Sequence, residues 1–153
     1  SSGFSPVQRM LDRGIRVALG SDGVSSNNAL DLFAEMKTAS LIQKGHTGDP
    51  TALNACDTIG MATRNGALAL GFSDSGLLKP GMAADLLLLD GGAENLLPGN
   101  DLEADIVFSA QGLNVQLTMV DGRVLYRDGR FNSLDEERIK ARFMEQIELL
   151  GIV

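Results

Sequence analysis

A change of texture at Phe72 constrains this chain more than any other feature. Before it, apolar residues recur at helical spacing or in one short run, punctuated by glycine and asparagine. After it, short apolar runs are separated by Pro-Gly and Asp-Gly pairs, the turn chemistry of antiparallel strands. A period of 3.6 and a period of 2 cannot be served by one kind of element. The sequence therefore predicts a helix–strand–helix portion followed by a β-rich module.

In the first portion, Ser5-Pro6 reads as an N-cap followed by a first-turn proline, and Gly14 closes a short helix. Arg16-Val17-Ala18-Leu19, inside the apolar run 15–20, predicts a short buried strand. Asn27 or Asn28 is expected to cap a longer helix over 29–44, ended by Gly45. Its inner stripe would be Leu30, Phe33, Ala34, Lys37 and Leu41. Asp49, before Pro50, is the expected cap of the next element. Two or three short helices should cover 51–70, interrupted near Asn65-Gly66 and closed by Gly71.

In the second portion, Pro80-Gly81 marks a turn, and the four leucines at 86–89 predict a strand buried on both faces or closed against another sheet. Residues 106–110 read as a further strand, and 115–120 should pair with 123–126 through Asp121-Gly122. Arg127-Asp128-Gly129-Arg130 offers a second turn of the same kind. The tail predicts a helix with Ser133 and Glu136 as a capping box and Ile139, Phe143, Ile147 and Leu150 as its stripe, packed back onto the main body.

Composition narrows the function classes. A net charge of −7 gives no electrostatic footprint for nucleic acid or an anionic membrane. No apolar run approaches the roughly 20 residues that span a bilayer. One cysteine, Cys56, excludes an internal disulfide and fits a reducing cytoplasm. Trp is absent and aromatics are 5%, which argues against stacking platforms for single-stranded nucleic acid.

Asp22 is the residue with the most chemistry to offer. It ends the strand run and is followed by Gly23 and small polar residues, so it faces a loop at the rim where α/β architectures build sites. The nearest downstream base is Lys37. On spacing alone, capping of the following helix competes with a metal or substrate role.

Four segments in order carry a resemblance. They are Gly20-Ser21-Asp22-Gly23-Val24-Ser25-Ser26-Asn27-Asn28 with Leu30-Asp31-Leu32-Phe33-Ala34-Glu35-Met36-Lys37; Met61-Ala62-Thr63-Arg64-Asn65-Gly66-Ala67-Leu68-Ala69-Leu70-Gly71; Gly76-Leu77-Leu78-Lys79-Pro80-Gly81-Met82-Ala83-Ala84-Asp85-Leu86; and Val120-Asp121-Gly122-Arg123-Val124-Leu125. Together they resemble the C-terminal portion of the amidohydrolase superfamily, in its chlorohydrolase and 5′-methylthioadenosine/S-adenosylhomocysteine deaminase branch.

That resemblance implies a fold and a chemistry. The chain, at 153 residues, is too short for a whole (β/α)8 barrel of about 250. It is expected to be the C-terminal fragment of a metal-dependent (β/α)8 barrel with part of the accompanying small β-sandwich domain. Residues 1–71 would hold the last helix–strand–helix segment of the barrel and connecting helices, 72–131 the β-sandwich part, and 132–153 the C-terminal helix. An apolar face should be left open for the rest of the polypeptide, a complementary chain or another copy.

The implied reaction is hydrolytic deamination of an aminated purine nucleoside or related heterocycle, of S-adenosylhomocysteine or methylthioadenosine type, by attack of metal-bound hydroxide. Asp22 matches the carboxylate of the last barrel strand, which in this family is both metal ligand and proton acceptor. Ser26 matches a polar position beside the substrate, with helix capping as its plainer role. One Zn²⁺, or Fe²⁺ in its place, would serve each complete active site.

The departures are equally informative. The chain holds one histidine, His46, and no His-x-His, so a zinc site with histidine ligands cannot be assembled from it alone. The isolated chain is expected to be inactive, and a non-catalytic scaffold or assembly fragment is the alternative. His46 reads as an exposed loop residue, and Cys56 as a small buried hydrophobe. Arg64, Arg123, Arg127 and Arg130 read as surface or turn residues, and Asp85 as a carboxylate that bonds turn amides.

Overall fold

Side chains from three helices converge by hydrogen bonds on one buried loop residue, Leu53. The computed structural model describes residues 3–151, so residues 1–2 and 152–153, at the ends of the expected barrel segment and terminal helix, lie outside the described residues. The first helix, α1, is Val7–Leu11, and Gly14 turns the chain after it at φ 70°. Pro6, rather than Ser5, is the N-cap, and no side chain caps this end.

The run 15–20 forms no ladder among the described residues. A strand exists only through a neighbour, and here none lies beside it. Instead the Leu19 amide donates to the Met61 carbonyl at 3.0 Å, and the Asn65 side chain donates to the Val17 carbonyl at 2.9 Å.

Helix α2 is Leu32–Thr47, later than the sequence predicts at both ends. Its N-cap is Asp31, whose carboxylate accepts from the Phe33 amide, while the Asn27 side chain is engaged elsewhere. Gly45 is carried inside the helix, and Gly48 ends it at φ 69°. A mid-helix glycine costs about 1 kcal/mol. The adjacent Lys44 donates to the carbonyls of Pro50 and Ala52 at 2.8 and 2.7 Å, tying this end of the helix to the following loop. The buried face is Met36, Ser40 and Gln43, whereas Leu30 and Leu41, expected inside, are exposed.

Helices α3 (Ala55–Ala62) and α4 (Arg64–Ala69) follow, and Gly71 closes the segment at φ 86°. The break falls at Thr63, with φ −125° and ψ −92°, and Asn65-Gly66 lie inside α4. Asn54 caps α3. Asp49 forms a turn instead, and hydrogen bonds from the Thr51 hydroxyl and amide hold its carboxyl below the usual range.

The second half is a four-stranded antiparallel sheet in the order β1 (Leu86–Leu89), β2 (Val115–Val120), β3 (Arg123–Arg127), β4 (Arg130–Phe131). Asp121 and Gly122 sit at φ 49° and 73°, and Asp128 and Gly129 at 47° and 81°, the left-handed pairs that two-residue hairpins demand. Pro80-Gly81 make a turn closed by the Met82 amide on the Lys79 carbonyl at 3.1 Å. The strand at 86–89 is present, but it is a sheet edge with Leu87 and Leu88 half exposed, not buried on both faces.

The expected strand at 106–110 is a helix, α5 (Leu102–Phe108). Asp101 caps it, accepting from the Ala104 amide at 3.0 Å, and Glu103 adds negative charge at its positive end. Capping and packing outweigh the β preference of Ile106-Val107-Phe108. Helices α2, α3 and α5 pack on one another through Met36, Met61 and Val107, all buried. The last helix, α6 (Glu136–Leu149), is capped by Asp135 instead of Ser133 and has no buried residue, so it is not packed back onto the body as the sequence predicts.

Arg64 is more than a surface residue. Its guanidinium donates to the carbonyls of Ser73 and Ser75 at 3.1 and 2.6 Å, drawing in the loop that joins the two halves. Gly76 then passes so close that a Cβ there would stand 2.7 Å from the Arg64 Cα, at φ 82°. Gly76→Ala should therefore destabilise the protein by at least about 2 kcal/mol, read as a lower denaturant midpoint. Ser40→Ala, which strips the main donor from a buried carbonyl, should cost about 1–3 kcal/mol in the same measurement.

Candidate functional site

Asp22 sits at the tip of an exposed loop, residues 20–28, between the unladdered run and α2. Its backbone is left-handed, φ 61°, a conformation that non-glycine residues adopt at a cost and that surrounding bonds must hold. One carboxylate oxygen, Oδ1, accepts from the Gly23 amide at 2.7 Å. The other takes no hydrogen bond among the described residues, so its acceptor capacity is uncommitted.

The loop closes on itself. The amides of Ser26 and Asn27 both donate to the Gly23 carbonyl, at 2.9 and 3.1 Å. Ser26 is exposed in this turn and caps no helix, which leaves its hydroxyl free on the same loop as Asp22. The Asn27 amide group donates to the Ser21 carbonyl at 2.9 Å and to the Glu35 carboxylate. Nothing in the spacing of Asn27 and Glu35 singled them out beforehand, because Asn27 looked like a cap and Glu35 like one helix charge among several.

The remaining sequence candidates lie apart. His46 is in the last turn of α2, not a loop, exposed and 5.2 Å ring to ring from Phe4. Cys56 is exposed, not buried, because it falls on the outer side of α3 away from Thr58 and Met61. Asp85 does bond a turn amide: its Oδ1 accepts from Asp121 at 2.8 Å, pinning the β2–β3 hairpin to the entry of β1. Two open depressions, of about 670 and 530 Å³, lie at the sheet and beside α2, and neither is lined by Asp22.

The chain is 50% identical over 139 residues to the 5′-deoxyadenosine deaminase of Methanothermobacter thermautotrophicus, an alignment covering 91% of this chain and 32% of that protein. It is 48% identical to the 5-methylthioadenosine/S-adenosylhomocysteine deaminase of Pelotomaculum thermopropionicum, over 92% of this chain and 33% of that one. Among solved structures, a zinc-bound adenosine deaminase from Xanthomonas campestris superimposes with a TM-score of 0.94 at 31% identity, over 99% of this chain and 35% of that one. Zinc-bound atrazine chlorohydrolase from Arthrobacter aurescens superimposes with a TM-score of 0.81 at 29% identity, over 95% of this chain and 32% of that one. This chain spans about a third of the length of the curated relatives it matches.

The relatives' zinc sets a test for the residues present. Among the described residues, no three His, Cys, Asp or Glu side chains gather around a common point. Asp22 is one donor, and a zinc site needs three or four. The chain alone does not fit the metal. It should accordingly bind zinc more weakly than micromolar in a competition titration with a chromogenic chelator, and Asp22→Asn should leave that weak binding unchanged. With residues 1–125 matched by the amidohydrolase family model, the chain belongs to the amidohydrolase family.

Proposed function

We propose that this chain is the C-terminal part of an enzyme that hydrolytically deaminates adenine-type nucleosides, of the 5′-deoxyadenosine, methylthioadenosine or S-adenosylhomocysteine class. The observation that carries the reading is the 50% identity to a 5′-deoxyadenosine deaminase across nine-tenths of the chain. Asp22 supplies its chemical content.

Deamination adds water across the ring carbon that bears the amine: a C–O bond forms, the C–N bond breaks and ammonia leaves. The entering water must lose a proton and the leaving nitrogen must gain one. In this reading Asp22, with one oxygen held by the Gly23 amide and the other without a hydrogen bond among the described residues, takes that proton and returns it to nitrogen. Ser26 offers a hydroxyl on the same loop for a polar edge of the substrate. A divalent metal in the complete site would lower the pKa of water towards about 7, with Asp22 as one ligand and the rest supplied from outside this chain.

The same reading divides the chain into a barrel segment over 1–71, a share of a β-sandwich over 72–131 and a C-terminal helix over 132–153. Exposed leucines at 41, 87 and 88 and Phe143 on α6 support it, because these apolar groups are what the rest of a longer polypeptide would cover. Among the described residues no helix is long and apolar enough to cross a membrane, and a cytoplasmic setting accords with the single cysteine.

The test is ammonia release by the full-length protein with 5′-deoxyadenosine and S-adenosylhomocysteine. Turnover is expected with the metal-loaded enzyme. Asp22→Asn should lower kcat by about 100- to 10,000-fold while leaving the circular dichroism spectrum unchanged. A metal-loaded, folded protein that releases no ammonia from any aminated purine or triazine would favour the scaffold alternative.

A further inference from the structure

Resting on the catalytic reading of Asp22, we infer that Asn27 and Glu35 form a positioning pair that holds this carboxylate in its left-handed backbone conformation. The Asn27 side chain is fully engaged. Its Oδ1 accepts from the Ala29 amide at 3.1 Å, an ordinary turn contact. Its Nδ2 has two protons, and both leave that turn. One goes to the Ser21 carbonyl at 2.9 Å and closes a ring of chain around Asp22. The other goes to Glu35 Oε1 in the first turn of α2.

These bonds make a continuous link. Met36, next to Glu35, is buried in the three-helix core, so the carboxylate of Glu35 is carried by a fixed element. Through Asn27 that fixity reaches Ser21, the residue immediately before Asp22. Asn27, Glu35 and Ser21 are all half-buried, while Asp22 itself is exposed. Asp22 makes its own side-chain bond only to the neighbouring Gly23, which moves with it. No other side-chain hydrogen bond among the described residues ties residues 21–26 to the helix core. A charge-assisted bond at this point is about twice as strong as a neutral one, and it is aimed across the loop instead of along it.

Placement matters at a proton-transfer site, where an error of about 1 Å costs on the order of 100-fold in rate. Asn27→Asp is nearly isosteric and keeps the acceptor for Ala29. It removes both donors and sets a second carboxylate against Glu35.

In the metal-loaded full-length enzyme, Asn27→Asp should lower kcat about 100-fold while KM stays within about threefold and the melting temperature is little changed. Glu35→Leu should do the same through the other partner. Glu35→Gln keeps an acceptor oxygen and should recover most of what Glu35→Leu loses. In the Asn27→Asp background, Glu35→Gln removes the repulsion and should raise kcat. An inactive Asp22→Asn alongside near-normal kcat in Asn27→Asp and Glu35→Leu would overturn the positioning role alone. Full turnover by Asp22→Asn would overturn both readings. Equal losses in Glu35→Gln and Glu35→Leu would also overturn the pairing.

Discussion

Leu53 is fully buried with its backbone at φ 41°, and the helical half of the molecule is assembled around it. A buried peptide in that conformation can join no helix or sheet, so its polar groups need side-chain partners. They have them: the Leu53 amide donates to Gln8 on α1, and its carbonyl accepts from Ser40 on α2 at 2.7 Å. Gln43, one turn beyond Ser40, donates to the Ser5 carbonyl at 2.8 Å and ties α1 down a second time. The helices are held in register by polar groups aimed at one loop, with Met36, Met61 and Val107 filling the space between them. This is why the apolar stripe expected for α2 is not the face that packs here.

Beyond the packing of α5 on α2 and α3, a few specific bonds join the two halves. Arg64 reaches into the connecting loop, and Asp31 both caps α2 and accepts from the Gly112 amide at 3.1 Å, just before β2. Near that junction, Asn95 and Asn114 exchange side-chain hydrogen bonds of 3.0 Å in both directions. The loop with Asp22 leads into the same α2 terminus that Asp31 caps. A single helix end therefore receives the loop that carries Asp22 and couples the helices to the sheet module.

Much of this was legible in the residues. Asp121-Gly122 and Asp128-Gly129 name their turns because left-handed backbone at both central positions admits few other pairs, and local sterics do not depend on what packs nearby. Asp85 as a turn anchor was readable for the same local reason. The strand expected at 106–110 failed because three apolar residues in a row fit a buried helix as well as a strand, and the decision lay with Asp101 five residues upstream. Cys56 failed because hydrophobic character alone does not say which side of a helix faces the core.

The sequence by itself determined the two Asp-Gly hairpin turns, that Asp22 lies in a loop, and that one histidine cannot build a histidine-ligated metal site. Those are matters of residue type and local backbone preference. Only the tertiary structure decided that α2 starts at Leu32 and buries Ser40 and Gln43, that residues 15–20 have no strand neighbour among the described residues, and that Asn27 reaches across Asp22 to Glu35. Each of these depends on a partner distant in sequence or several turns away, and a hydrogen bond to such a partner leaves no period or motif in the chain that makes it.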